Sequence, residues 1–153
     1  NGYFYLTAAF ADGDTIDLTF EMSVRRIYCN PRVRANEGQV ALMRGPLVYC
    51  FEGVDNGENL QELRIPRAAS FTASELSDDK SPLNGMTVLD FTGKRSTFPS
   101  VSEDSLEAGA EAPFEELYSE EEPVLSDAPM RAVPYFAWGN RGENQMRVWM
   151  HEV

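Results

Sequence analysis

The sequence predicts an all-β fold: an antiparallel β-sandwich, jelly-roll-like or immunoglobulin-like, with little helix. Three observations carry that prediction. Apolar residues alternate at period two in one stretch after another. Turn-forming Gly, Asn, Asp and Pro return about every ten residues. Wherever a helical period can be drawn over any length, Gly or Pro interrupts it, as Gly109, Pro113 and Pro123 do.

The first elements read as a half-buried hairpin. Over residues 3–10, Phe4, Leu6, Ala8 and Phe10 share one face and Tyr3, Tyr5 and Thr7 the other. Residues 11–14, Ala-Asp-Gly-Asp, supply a hairpin turn. Residues 15–20 alternate again, with Ile16, Leu18 and Phe20 against Thr15, Asp17 and Thr19. A further strand over 22–29 places Met22, Val24 and Arg26 on one side and stops at Asn30-Pro31. Residues 32–37 form a polar loop.

The chain centres on residues 38–52, where two apolar runs, 40–43 and 47–51, flank Arg44-Gly45-Pro46. Each run has the length and residue types of a core strand. Pro46 has no N–H to give a ladder and therefore suits a strand mouth or a bulge. Two core strands joined by a sharp corner follow, with Arg44, Gly45, Pro46 and Glu52 as the corner residues. Glu52 is the acid that stands out. The favoured role for it is structural: an acceptor for loop amides, or a partner for Arg44 or Arg141.

Beyond a polar loop at 53–59, residues 60–65 fit either a helical turn through Leu60, Leu63 and Arg64 or a short strand of Leu63 and Ile65 before Pro66. Strands are expected over 69–76 and 86–91, the second with Leu89 and Phe91 on one face. Residues 94–100 lose the pattern. Residues 101–127 hold ten acids and no base and read as an acidic loop or insertion, with Phe114, Leu117 and Tyr118 touching the body. A strand over 130–138 contains a proline and so reads as edge or bulged. A hairpin loop at 139–144 leads to a last strand over 145–151, with Met146, Val148 and Met150 on one face.

Composition excludes several functions. The 153 residues suit one domain or a small pair; 42% are apolar and 25% charged, as in soluble globular proteins. Net charge is −12, which excludes a nucleic-acid partner needing a basic face. No run approaches the roughly 18 apolar residues of a membrane span. The start, Asn-Gly-Tyr, carries no secretory signal, reads like mid-strand and suggests a fragment of something longer, which leaves the compartment unread. Cys29 and Cys50 both lie in expected strands and are either bridged or two buried thiols.

Candidate chemistry is sparse. His151 is the only histidine and stands near the end of the sequence, a poor place to hold catalytic geometry. Cys29, Cys50 and His151 lack the close-spaced pairs of a zinc site, so no metal or cofactor is expected in this chain. Isolated glycines, including Gly2, Gly13, Gly45 and Gly142, make no phosphate loop. With 25 acids, a glycosidase-like carboxylate pair is not readable from spacing alone. The more suggestive group is aromatic. Tyr135, Trp138 and Trp149, with Phe136 nearby, are candidate glycan-stacking residues, against the commoner role of core or interface rings.

Three blocks carry a family resemblance: GYFYLTAAFADGDTIDLTFEMSVRRIYCNP at 2–31, GQVALMRGPLVYCFEGVDN at 38–56 and AVPYFAWGNRGENQMRVWM at 132–150. Together they cover about 70 of the 153 residues, and "RGPLVYC" and "PYFAWGNRG" are the specific pieces. In order and approximate spacing they resemble the C-terminal β-sandwich region of glycoside hydrolase family 127, the β-L-arabinofuranosidase family. The resemblance implies an α-helical catalytic barrel upstream, followed by β-sandwich domains. It places the family's cysteine nucleophile, zinc-binding cysteine and glutamate set, and acid/base glutamate in that barrel, and none maps onto a residue here. Residues 1–37 would then be terminal strands of a preceding sandwich, and 38–153 the C-terminal one.

The implied function is a non-catalytic accessory β-sandwich that packs on its own upstream catalytic barrel, on another subunit, or on both. A carbohydrate-binding module using Tyr135, Trp138 or Trp149 is the alternative, and an autonomous two-carboxylate hydrolase ranks last. An uncovered strand over 3–10 would make the isolated chain self-associate.

Overall fold

The two apolar runs around Gly45-Pro46 form strands β2 (Gln39–Arg44) and β3 (Leu47–Glu52). They pair only at Met43 with Val48 and Arg44 with Leu47, then part. Gly45 sits at φ +56°, the left-handed region that favours glycine, at the first central position of this two-residue turn. A Cβ there would also strike the Met22 thioether. The corner is tied back by Gly45 N–H to the Ser23 carbonyl (3.4 Å) and by Arg25 Nη2 to the Gly45 carbonyl (2.8 Å).

The structure, a computed structural model, describes residues 2–98 and 120–153. Among these residues the remaining strands are β1 (Val24–Tyr28), β4 (Leu63–Ile65), β5 (Thr72–Glu75), β6 (Thr87–Thr97), β7 (Val124–Pro134), β8 (Met146–Arg147) and β9 (Met150–Glu152). One helical turn, α1 (Gly53–Asn56), follows β3 directly, and short 3-10 turns lie at Leu60–Glu62 and Tyr135–Ala137. The strands make one sheet in the order β1-β2-β9-β4-β6-β7-β3-β8, with β5 on β6. The β2–β3 pairing returns the path on itself.

The fold is all-β, as expected, but not wholly antiparallel. β9 lies antiparallel to β2 and parallel to β4, with Arg64 opposite His151 and Ile65 opposite Glu152. Most of the chain separates β4 from β9, so no hairpin imposes an antiparallel sense on them.

Period-two alternation places one row from each strand of the closed path in the core. Val40 and Leu42, Tyr49 and Phe51, Leu63 and Ile65, Leu89 and Phe91, Met130 and Ala132 all face inward, with Leu60 and Met150. Phe91 meets Phe51 and Phe71 edge-on, at centroid distances of 6.0 and 4.9 Å. The opposite rows of β3, β6 and β7 supply Cys50, Val88 and Val133 to a second cluster with Leu83 and Ala137. Around Tyr49–Phe51, Val88–Leu89 and Ala132–Val133 these strands are thus buried on both faces, which fits the apolar run at 49–51.

Several expectations need correction. Residues 2–23 contain no strand. The turn at 11–14 is made, through Asp14 N–H to the Ala11 carbonyl and Ala11 N–H to the Asp14 carboxylate, but its arms are exposed, because no described strand lies beside them to pair with. Strand β1 pairs along its whole length with β2, so residues 24–28 share a sheet with the 38–153 part instead of standing with a separate 1–37 unit. β6 runs on through Thr97 against Val124–Asp127, residues expected to belong to the acidic loop. At its far end the apolar Val124 and Leu125 stand exposed and Lys94–Thr97 opposite are polar, so no core-facing row marks the pairing; Lys94 Nζ to Asp127 (2.6 Å) is one of its cross-strand contacts. Residues 101–119, with Phe114, Leu117 and Tyr118, lie outside the described residues.

The strand expected over 130–138 ends at Pro134 and becomes the 3-10 turn. The strand expected over 145–151 breaks between β8 and β9, so Met146 and Val148 join the second cluster while Met150 enters the first. Residues 60–65 contain both alternatives in succession, a 3-10 turn and then a strand. Cys29 and Cys50 are free thiols, Cys29 half-buried with its Sγ 3.3 Å from the Asn36 carbonyl, Cys50 fully buried.

Candidate functional site

Where β3 meets α1, the chain collects charged side chains. Glu52 ends β3, and Asp55, three residues on, lies on the same side of the helical turn. The loop after the 3-10 turn folds over them. Glu52 Oε1 accepts from the Gly139 N–H (2.9 Å) and from Asn144 Nδ2 (3.3 Å). Glu52 Oε2 accepts from Arg141 Nη2, and Arg141 also holds Asp55 through Nη1 (2.7 Å) and Nη2. The side chains are 0%, 11% and 16% exposed for Glu52, Asp55 and Arg141. Gly139 and Gly142, at φ +77° and +97°, let the loop double back so that the Gly139 N–H reaches the carboxylate. Gly53 N–H to the Gln145 carbonyl (2.9 Å) closes the far side.

Electrostatics follow from that geometry. Burial pushes the Glu52 carboxyl up, but the Arg141 bond, the Gly139 N–H and the Asn144 amide together hold it below the usual carboxylate range. Arg141 is pushed further up, chiefly by its bond to Asp55 and against the effect of burial. Cys50 is pushed up to about 12, first by burial and then by the Glu52 charge. A general acid requires a carboxyl held neutral near working pH, and a thiol nucleophile requires a lowered pKa. Glu52 and Cys50 are shifted the opposite ways. The cluster is built as a clamp on the 139–144 loop, and two of its buried atoms, Arg141 Nε and Asn144 Oδ1, have no partner among the described residues.

A second polar group adjoins it. Asn56 ends α1 and is buried. Its Nδ2 donates to the Glu52 carbonyl (2.8 Å) and the Arg131 carbonyl (2.9 Å), and its Oδ1 accepts from the Arg131 N–H (2.9 Å). β3 pairs with β7 only at Val133 and Pro134, and Asn56 stands in for a strand neighbour one step further along β7. The Arg131 side chain grips Asp90 in bidentate fashion (2.7 and 3.1 Å). A shallow cleft of about 390 Å³ lies between, lined by Asp55, Asp90, Phe91, Pro129, Met130 and Arg131.

The other residues singled out in sequence are dispersed. Arg44 ends β2 beside the Tyr49 phenol, which donates to the Thr87 carbonyl (2.9 Å). The partner of Glu52 is therefore Arg141 and not Arg44. Tyr135, Phe136 and Trp138 stand out from the turn after β7, exposed by 44%, 64% and 45%. Trp149 is half-buried elsewhere, with its indole nitrogen 3.3 Å from the Asn36 amide when that amide is turned to accept. His151 lies between β2 and β4, its pKa lowered by burial, Arg64 and Arg147.

Asp55, Asn56, Gly139 and Asn144 were not legible as site residues. Only Asp55 left a trace, in its spacing from Glu52. Among the described residues no group of three or more His, Cys, Asp or Glu side chains could hold a metal ion, and no helix is long and apolar enough to cross a membrane.

Comparison with known proteins agrees with the fold. Residues 24–151 match the family model for the glycoside hydrolase family 127 C-terminal domain. The non-reducing end β-L-arabinofuranosidase of Bifidobacterium longum subsp. longum is 36% identical over 151 residues, which is 97% of this chain and 21% of that protein. The crystal structure of a GH127 β-L-arabinofuranosidase from Geobacillus stearothermophilus T6 superposes with a TM-score of 0.70 at 43% identity, covering 86% of this chain and 18% of that one. A further GH127 β-arabinofuranosidase structure gives 0.67 at 26% identity, over 88% of this chain and 18% of that one. The chain thus spans about a fifth of the length of these relatives.

Proposed function

This chain belongs to the family of glycoside hydrolase family 127 C-terminal domains, and on that premise we propose that it is the non-catalytic β-domain of a longer glycoside hydrolase. The observation that carries the reading is the state of the two acids at the end of β3, Glu52 buried and Asp55 partly so. Glu52 and Asp55 are both engaged by Arg141, and Glu52 is held ionised. Glu52 is not poised to protonate a leaving group, and neither carboxylate is free of Arg141 to attack a sugar. The bond-breaking residues, and any zinc they use, then belong to parts of the longer protein outside this chain. Its substrates would be β-L-arabinofuranosides, the class that the relatives' names give. The β-domain would pack on the catalytic portion and stabilise it.

The test is turnover of an aryl β-L-arabinofuranoside by residues 1–153 alone and by the longer protein. Activity confined to the longer protein is expected. Turnover by the isolated domain that disappears in Glu52→Gln would overturn the reading.

A second reading has one observation in its favour. Tyr135, Phe136 and Trp138 are exposed together on a turn whose base, Ala137, is buried. Such rings can stack on a sugar face. Titration of arabino-oligosaccharides, followed by tryptophan fluorescence, decides it; a flat response into the millimolar range removes glycan binding from consideration.

A further inference from the structure

On the outer face of the sheet, one level gathers positive charge. In register across four strands stand Gln39 of β2, His151 of β9, Arg64 of β4 and Lys94 of β6. Val40, Met150, Leu63 and Ile65, their neighbours in sequence, point into the core, so Gln39, His151 and Arg64 point away from it. Lys94, directly opposite Arg64, shares that face. Arg147, which closes β8 just before the chain enters β9, adds another cation. Burial and then the Arg147 charge lower the pKa of Arg64, with Glu62 opposing. Burial, Arg64 and Arg147 lower that of His151, against its hydrogen bond to the Gly38 backbone. The three groups are thus within electrostatic reach of one another.

The chain has acids to spare for such a cluster, 25 against 13 Lys and Arg, and does not use them there. Like charges opposed across a sheet are destabilising. The nearest bases are matched: Arg95 has Glu62 (2.7 Å) and Lys94 has Asp127 (2.6 Å). Glu152, the acid that follows His151, turns instead to Arg26 (2.8 Å) and Arg67 (3.1 Å). Among the described residues no carboxylate lies within ion-pair distance of Arg64, Arg147 or His151. Arg64 uses Nη1 alone, on the Gln61 and Leu63 carbonyls, and the Arg147 guanidinium makes no hydrogen bond among these residues.

We propose that Arg64, Arg147 and His151 form a binding site for a small oxyanion, a sulfate, phosphate or carboxylate group. Guanidinium forks suit that ligand, because each can present parallel N–H donors to paired oxygens. The imidazole completes the site by taking a proton from solvent as the anion arrives. An extended polyanion does not fit, since nucleic acid requires a basic face that a chain of net charge −12 lacks.

His151 is the only histidine, so its imidazole NMR signals report on this site alone. The chain is titrated between about pH 5 and 8 at one ionic strength, set in turn by chloride, sulfate and formate. In chloride the imidazole should titrate below its ordinary value. Sulfate or formate should raise it by about one pH unit, because a bound anion favours the imidazolium. Sulfate stands for phosphate-like groups and formate for carboxylates; a response to either supports the site, and the larger names the preferred group. Arg147→Gln has no side-chain bond to lose. It should raise the chloride value by removing a neighbouring cation, and abolish the dependence on anion. Lys80→Gln, the same charge change in the turn after β5, should do neither. An imidazole that titrates alike in all three salts overturns the proposal, and so does an anion response that survives Arg147→Gln.

Discussion

The carboxylate of Glu52, fully buried at the end of β3, is neutralised by the guanidinium of Arg141, 89 residues further along the chain. Removing one member of a buried charge pair typically costs about 3–5 kcal/mol, because the other is left uncompensated. Arg141→Ala strands Glu52 and Asp55 together and should fall at the upper end of that range in urea denaturation. Glu52→Gln keeps the shape and removes the charge, and should cost distinctly less.

The same pair sets an acid limit on stability. The folded carboxyl of Glu52 lies below its ordinary value, so its contribution is present above the unfolded pKa and is lost as pH falls through the folded one. Melting temperature of the wild type should therefore drop through the acidic side of the carboxylate range. Glu52→Gln should flatten that limb, and an identical acid slope in both proteins would contradict the assignment.

Asn56 performs a backbone's task with a side chain. Its amide serves both the N–H and the C=O of Arg131, and the Glu52 carbonyl as well. Asn56→Ala leaves those groups without partners at a part-buried site, at about 1–3 kcal/mol. The Arg131 amide, protected in the wild type, should exchange measurably faster in the variant. Unchanged exchange there would mean that Asn56 is dispensable to the edge of β7.

Gly93 is the position in β6 where the core permits no side chain. A Cβ would collide with the Met130 thioether and come within 3.0 Å of the Arg64 carbonyl. Overpacking of this kind costs about 1–3 kcal/mol. Gly93→Ala should lose that much stability, and Met130→Ala should couple with it, the double variant being more stable than the sum of the two losses. Strict additivity would show that the collision is relieved elsewhere.

What the residues disclosed, and what they withheld, follows from the range of the contacts. The apolar runs at 40–43 and 47–51 and the shared face of Leu89 and Phe91 are local signals, and Val40, Leu42, Tyr49, Phe51, Leu89 and Phe91 do lie in the core. The Gly45-Pro46 corner was legible for the same reason. The ladder of 94–97 on Val124–Ser126 was not, since 94–97 is polar and the apolar Val124 and Leu125 opposite stand exposed instead of marking a core face. Met146, Val148 and Met150 misled because a break at Val148-Trp149 sends them into two clusters. Gly139 and Asn144 became visible only once the fold laid their loop on Glu52, a contact that no short window contains. Residues 3–20 read as a hairpin, and the turn is present, but alternation specifies a face to bury and not the sheet that buries it.

Cys50 gives the last prediction. Its thiol is fully enclosed among Leu83, Val88, Val133 and Ala137, and the adjacent Glu52 charge opposes ionisation further. At neutral pH it is protonated, and the reactive species toward disulfide reagents is the thiolate. Thiol titration of the native domain should find Cys50 silent until denaturant is added, and Cys29→Ser should abolish whatever native reactivity exists. On the alkaline side the sign is the reverse of that for Glu52. The folded pKa of Cys50, about 12, lies above the ordinary thiol value of 9.0. Its contribution is therefore complete below the unfolded value and declines as pH rises toward the folded one. Cys50→Ala should lose core packing at neutral pH yet show a shallower decline in stability between those two values. A parallel decline in both proteins would mean that Cys50 does not set the alkaline limb.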